Sequence, residues 1–371
     1  MAVPQLDNHA GSGISEGFPS SDRLFMRRLQ LILLVVGVAL FVVVVRSVGI
    51  AAILDGIRHI GWGFVPIVAI EIAIDALHAE GWRYCLPAEA RTVSRLDVFL
   101  TRTAGFAVNV LTPTATVGGE VVKGMLIRRW VRPAEGFASI ILDKLTFAVG
   151  QAVFLVFGLF AVFGRVPFGP RERLYALIAF GLWLAGLVAF FLLQRAGIFR
   201  LGVGVLQTVF GASALVERLP GRARTFDDRI QNFFIHHQRD LAISVLLHLL
   251  GQIARTLQFY LALSALGFEP SFETALTTAA GLVFVEATLF LVPARLGVFE
   301  ESHVLMFEAL GYGAASGLTV ALTMRLSELC SALLGLGALA YYHFRVEDLP
   351  PIPEEVEEPP RAARASQGEK R

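Results

Sequence analysis

Charge and cysteine are both scarce in this sequence, and each scarcity removes a class of protein. Only 17% of its 371 residues are charged, whereas a soluble domain carries about a quarter. Its two cysteines, Cys85 and Cys330, form neither a disulfide framework nor the paired spacing of a zinc site. The glycine-rich loop that binds ATP is also missing. These absences argue against a soluble domain, a disulfide-rich secreted domain and an ATP-driven pump.

The sequence also gives little support for a metal site or for a nucleic-acid partner. The E-x-x-H spacing from Glu300 to His303 occurs once, whereas di-metal bundles need two copies. A formal net charge of +1 gives no reason to expect a nucleic-acid partner. We therefore expect no metal, no cofactor and no nucleic acid.

Apolar residues make up 55% of the chain and cluster into charge-free runs. Such runs, near the roughly 20 residues that cross a bilayer as a helix, indicate membrane spans. They lack the two-residue alternation of membrane-barrel strands. The sequence predicts an all-α integral membrane protein with about six full spans. These are 29–45, 60–82, 136–164, 174–194, 241–266 and 316–344.

Basic residues predict the orientation. Arginines precede the first span, and seven more lie in 195–240, so both regions are placed on the cytoplasmic side. Both termini are then cytoplasmic, in an inner membrane of the bacterial type. We divide the chain into a disordered tail (1–22), a membrane domain (23–344) and a second disordered tail (345–371). Within the loop, 201–216 is charge-free and is either an interfacial helix or a further span.

The stretch TPTATVGGEVVKGMLIRR, residues 112–129, stands out because it interrupts the apolar chain with a proline, a glycine pair and charges. Broken backbone at membrane depth is tolerated only where it is buried in protein or lines a cavity. Basic residues lie at both ends of 97–130. We therefore predict a re-entrant hairpin that enters from the cytoplasm and turns near Pro113.

A second proline-interrupted stretch, 274–311, resembles the first. In both, a glutamate follows a proline by seven positions with glycine between them: Pro113 with Glu120, and Pro293 with Glu300. The second hairpin is predicted to enter from outside. Broken segments in two opposed halves point to a transport site at the midplane, so we predict an inverted repeat. Chance agreement of three residue types is the alternative.

The first broken stretch has the residues of an anion site. Two glycines at a helix start allow backbone N–H groups to approach a lipid phosphate, and basic side chains follow. The alternative is a close helix contact with an internal Glu120–Lys123 pair. We expect Asp143 to pair with Lys123 or Arg102. The predicted lipid-binding residues are Gly118, Gly119, Glu120, Lys123, Arg128, Asp143, Lys144, Pro293, Arg295, Gly297 and Glu300.

Other charges inside predicted spans need partners, since each is costly in a membrane. Glu71, Asp75 and His78 share one helix face, which is typical of a proton or cation relay or of a polar seam between helices. Glu286 is expected to pair with Arg255 or Arg325. The candidates for coupling or interhelical pairing are Glu71, Asp75, Arg102, Arg255, Glu286 and Arg325.

These residues carry a resemblance. P-x(4)-GGE-x-x-K at 113–123, Leu142-Asp143-Lys144, and P-x-x-x-G-x-x-E at 293–300 resemble the lysylphosphatidylglycerol-synthase transmembrane, flippase-like family, over about 23–344. That family often has Arg where Lys144 stands and Gly-Gly where Leu296-Gly297 stands. The resemblance implies a lipid-handling membrane domain. In full-length synthases this domain flips an aminoacylated lipid that a separate cytosolic transferase domain makes. In this sequence we expect too few residues after the last span to form that transferase domain. Stand-alone members include hopanoid-biosynthesis-associated membrane proteins.

The expected function is therefore lipid translocation, with a polar or anionic headgroup bound between the two broken segments. We do not expect an enzyme. Two alternatives stay open: an intramembrane lipid-modifying transferase, and a scaffold that binds lipid-biosynthetic partner proteins through 195–240.

Overall fold

The computed structural model describes residues 58, 60–112, 117–166, 169–197, 200–201, 203–204, 219–288 and 298–344. The predicted first span at 29–45, both predicted tails and most of 201–216 lie outside these residues, as does the turn around Pro113. Regular structure within the described residues is helical throughout. The ten α-helices are α1 (Phe64–Cys85), α2 (Arg95–Leu111), α3 (Val117–Ile127), α4 (Pro133–Arg165), α5 (Pro170–Ala196), α6 (Leu219–His236), α7 (Gln238–Ala265), α8 (Phe272–Thr288), α9 (Val298–Ala309) and α10 (Ala314–Phe344).

Within the part of the chain that the structure describes, five helical segments are long and apolar enough to cross a membrane. They are Gly61–Cys85, Pro133–Arg165, Pro170–Ala189, Gln238–Ala265 and Ala314–Phe344. Each coincides with a span predicted from the sequence, because long charge-free runs leave little choice other than a buried or membrane-spanning helix.

Local sequence sets several helix ends. Ser94 caps α2: its hydroxyl accepts from the Asp97 N–H at 3.0 Å and donates to the Asp97 carboxylate at 2.6 Å. Pro133 begins α4, where its missing N–H costs no hydrogen bond. Gly267, with φ of +84°, ends α7 in the left-handed conformation that glycine tolerates.

Helices α1 and α7 form an antiparallel pair at the centre. Gln258 donates to the Ile67 carbonyl at 3.1 Å, and farther along His78 meets His248. Residue numbers therefore rise along one helix as they fall along the other. The contact between the two helices is the most extensive of the bundle.

The remaining helices pack around this pair in corresponding ways. Helix α2 packs on α10, and α8 packs on α4. The short helices behave alike, since α3 packs between α2 and α4 while α9 packs between α8 and α10. Helix α5 differs, because it makes few contacts and its apolar side chains are mostly exposed.

Candidate functional site

Four charged side chains from α3 and α4 meet in what we call the Lys123 cluster: Glu120, Lys123, Asp143 and Lys144. The Lys123 Nζ lies 2.5 Å from Glu120 Oε2 and 3.5 Å from Asp143 Oδ2. Lys144 Nζ lies 2.7 Å from Glu120 Oε1. The ion pair between Lys123 and Asp143 that the sequence predicts is thus present.

Burial and charge balance define this cluster. The Lys123 side chain is only 5% exposed, whereas that of Lys144 is 47% exposed, so the cluster reaches the surface through Lys144. Two ammonium groups face two carboxylates, and the Lys123 ammonium also lies 5.3 Å from the ring centre of Trp82. A buried lysine is tolerable only with such partners.

Glycines allow the hairpin helices to approach each other. The Gly119 N–H donates to Asn109 Oδ1 at 2.7 Å, which joins α3 to α2. A Cβ on Gly105 would lie 2.6 Å from Lys123 Cγ and 2.7 Å from the Gly119 carbonyl oxygen. Both features of the helix-contact interpretation, the close glycines and the Glu120–Lys123 pair, are therefore present. Gly118 is partly buried at the start of α3.

The predicted polar face of α1 forms a central seam that contacts α2, α7 and α10. Glu71 lies 3.6 Å from Arg255 and accepts from Gln258 at 3.0 Å. Asp75 pairs with Arg102 at 2.8 Å and also accepts from the Ser331 hydroxyl.

His78 completes this seam. Its Nδ1 lies 2.8 Å from Nδ1 of His248 on α7, and His248 Nε2 lies 3.2 Å from Asp143 Oδ1. The seam is therefore joined to the Lys123 cluster through His248. All three of these side chains are buried.

A second charged group, the Arg325 cluster, joins α9 to α10. Arg325 donates to Glu300 Oε1 at 3.0 Å and lies 3.7 Å from Glu328 Oε2. Its guanidinium stacks 4.4 Å from the ring centre of Phe299. The other predicted residues of this half, Pro293, Arg295 and Gly297, lie outside the described residues.

The two clusters share one relationship. In each, the glutamate seven residues after a proline pairs with the basic residue of the following long helix: Glu120 with Lys144, and Glu300 with Arg325. The spacings are similar, since Lys144 follows Glu120 by 24 positions and Arg325 follows Glu300 by 25.

The structure assigns several partners that the sequence did not. Arg102 pairs with Asp75, Arg255 with Glu71, and Arg325 with Glu300. Glu286 lies near His303 at the end of α8. Arg128 is partly buried in the turn after α3.

His248 was not predicted as a site residue, although it connects the seam to the Lys123 cluster. Only its place as the one ionisable group in a long apolar stretch of α7 signals a role. Among the residues that the structure describes, no three His, Cys, Asp or Glu side chains are grouped to hold a metal ion.

Comparisons with known proteins relate the chain to a family of membrane proteins. The family described as "Lysylphosphatidylglycerol synthase TM region" matches residues 30–335. A "UPF0104 membrane protein" of Methanothermobacter thermautotrophicus is 25% identical over 344 residues, which are 87% of this chain and 98% of that protein. No solved structure matches the chain. The matched range contains both clusters and the central seam.

Proposed function

The chain belongs to the lysylphosphatidylglycerol synthase transmembrane-region family, and we propose that this multi-pass membrane protein moves a lipid with a polar or anionic headgroup between leaflets. The Lys123 cluster is the observation that carries the proposal. It is paired, balanced in charge and open to the surface at Lys144. Ionisable groups inside a membrane protein are costly and commonly mark a substrate or ion pathway.

A lipid phosphate suits this cluster chemically. In the proposal it replaces Glu120 as the partner of Lys123 and Lys144, because all these contacts are charge-assisted bonds to anionic oxygen. Glu120 can then accept a hydrogen bond from a cationic group of the lipid headgroup. Exchanging one anion for another avoids leaving a buried ammonium without a partner, which is the costly alternative. Gly118, Gly119 and Arg128 border the bound headgroup.

We further propose that the two broken segments are re-entrant hairpins of an inverted repeat, α1–α4 and α7–α10. Three observations support this. The central helices α1 and α7 are antiparallel, the packing partners of each half correspond, and each half pairs its glutamate with the next long helix. Related broken helices in opposed halves commonly form a transport site between them. The Arg325 cluster is then the second half of the pathway, together with Pro293, Arg295 and Gly297.

A lipid-movement assay tests the function directly. Purified protein is placed in liposomes that contain headgroup-labelled fluorescent phosphatidylglycerol, phosphatidylethanolamine or phosphatidylcholine, and dithionite quenches the label in the outer leaflet. Wild type should raise the quenched fraction above the half that is reached without protein. Glu120→Gln and Lys144→Ala should slow this movement.

Arg165→Ala supplies a matched control. Arg165 lies on the same helix as Lys144, is 37% exposed and pairs with Glu273 at 2.6 Å, yet it belongs to neither cluster. It should leave the rate unchanged. If wild type moves none of the three lipids, the translocase proposal fails. Chemical turnover of a lipid by the purified protein, detected by mass spectrometry, would favour the transferase alternative.

A further inference from the structure

Two buried histidines on the central helix pair meet in a space that glycines create. His78 on α1 and His248 on α7 stack with ring centres 5.0 Å apart. A Cβ on Gly251 would lie 2.6 Å from the His78 ring, and one on Gly81 would lie 3.0 Å from the His248 ring. Each ring therefore fits only because the opposite helix has glycine there. Phe147 covers the edges of both rings, at 5.2 and 5.4 Å between ring centres.

The pair belongs to a series of neighbouring proton-binding groups. His78 Nδ1 lies 2.8 Å from His248 Nδ1, and His248 Nε2 lies 3.2 Å from Asp143 Oδ1. On one side, Asp143 belongs to the Lys123 cluster, which reaches the surface. On the other side, Asp75 lies one helical turn from His78 on α1.

We propose that His78 and His248 deliver a proton to Asp143, and that its arrival couples lipid movement to a proton gradient. The coupling rests on the proposed lipid translocation, whereas the proton path does not. The ligand of the new site is the proton.

The chemistry follows from the two ring nitrogens. A neutral imidazole has one donor and one acceptor nitrogen, so the contact between the two Nδ1 atoms holds a single proton. A proton that binds Nε2 of His78 sends the proton on its Nδ1 to Nδ1 of His248. His248 then gives the proton on its Nε2 to Oδ1 of Asp143. Each imidazole gains one proton and loses one, so only Asp143 changes charge.

Neutral Asp143 no longer balances Lys123. The cluster of Lys123, Lys144 and Glu120 then carries a net charge of +1, and the negative charge of a lipid phosphate balances it. Groups from several helices set the field around this step. They are Glu71, Asp75 and Cys85 on α1, Arg102 on α2, Glu120 and Lys123 on α3, Asp143 and Lys144 on α4, and Arg255 on α7.

Proton movement is measured first, without reference to lipid transport. Wild-type protein is reconstituted in liposomes that contain the pH dye pyranine, with the membrane potential clamped by potassium and valinomycin. An imposed pH difference should decay faster than in protein-free liposomes. His248→Gln and His78→Gln, which keep a polar side chain but cannot relay a proton, should abolish the increase. No increase with wild type overturns the proposal, and so does an increase that survives both substitutions.

Coupling is measured in the same vesicles from the distribution of fluorescent lipid. With one proton moved per lipid, a gradient of about one pH unit sustains about a tenfold difference between leaflets, whereas an uncoupled protein sustains none. A protonophore should remove the difference. If lipid moves but its distribution between the leaflets does not depend on the pH gradient, the coupling is overturned and the proposed function still stands. Failure of all lipid movement is a failure of the proposed function, and the dye signal still decides the proton path.

His303→Gln is the matched control. His303 is also buried, but its Nδ1 lies 2.7 Å from the Phe299 carbonyl oxygen, and its ring is not part of the series. The His303→Gln variant should conduct protons at the wild-type rate. Size-exclusion elution and melting temperature in detergent identify any variant that is not folded. If His248→Gln is unfolded, Asp143→Asn replaces it, since its amide also ends the series.

Discussion

Lys123 Nζ lies 3.5 Å from Asp143 Oδ2, and both side chains are almost completely excluded from the surface. Neither helix alone stabilises this pair, because Lys123 is on α3 and Asp143 is on α4. The contact therefore ties the hairpin to the long helix that follows it. Removing either partner leaves the buried cluster with an unbalanced charge, and removing both does not.

That asymmetry gives a stability prediction. Asp143→Ala should lower the free energy of unfolding by about 3 kcal/mol, since breaking a buried ion pair by removing one partner costs several kcal/mol. The double substitution Lys123→Met, Asp143→Leu should recover most of this loss, because the remaining Glu120 and Lys144 still pair with each other. Thermal unfolding in detergent micelles measures both. Equal destabilisation by the single and the double change would contradict the role given to this pair.

Close packing of α10 on α2 gives a second prediction with an internal control. A Cβ on Gly335 would lie 2.7 Å from Ala107 Cβ and would collide with the Thr103 carbonyl, whereas one on Gly337 would meet nothing within 4 Å. Gly335→Ala should therefore destabilise the protein by about 1–3 kcal/mol through overpacking. Gly337→Ala should be neutral or stabilise it by up to about 1 kcal/mol, because alanine favours helix. Melting temperatures in detergent compare the two.

The proposed inverted repeat predicts which helix starts face the same side of the membrane. Single cysteines are introduced at Arg95 and Arg132, before and after the first hairpin, and at Phe272 and Ala315, before and after the second. An impermeant maleimide applied to intact cells or to inverted vesicles should label the first two from one side and the last two from the other. The background lacks Cys85 and Cys330. Labelling of Arg95→Cys and Arg132→Cys from opposite sides would make the first hairpin a full crossing instead.

The second cluster should affect lipid movement as the first does. Glu300→Gln removes the charge that faces Arg325 and should slow lipid movement about tenfold, as the loss of a charge-assisted bond worth roughly 1.5 kcal/mol implies. Its neighbour Glu301 is exposed on the other side of the same turn, so Glu301→Gln is the control. The liposome assay with fluorescent lipid measures both rates. A rate for Glu300→Gln equal to that of the control would remove the Arg325 cluster from the pathway.

Much of the bundle could be predicted from the sequence because membrane spans are set by composition over a long window. Five predicted spans are helices of suitable length and composition. The shared face of Glu71, Asp75 and His78 was likewise predictable, since helical periodicity alone places them together. The Lys123–Asp143 pair followed from the need of each buried charge for a partner.

The partners across the central helices could not be predicted. His78 and His248 are separated by 170 residues, and their contact depends on the register of α1 against α7. That register is set by glycines and apolar side chains along both helices, which carry no pairwise signal in one sequence. Arg102 illustrates the same limit, because Asp143 was an equally reasonable partner until packing brought Asp75 within 2.8 Å of it.

The charge balance of the Lys123 cluster has an electrical consequence. Its two ammonium groups and two carboxylates sum to zero, so a displacement of the four groups together carries no net charge through the transmembrane field. The work that a membrane potential does on a moving group scales with its net charge, at about 2.3 kcal/mol per elementary charge per 100 mV. If the four side chains move together, currents recorded from the reconstituted protein would therefore report the lipid and the proton.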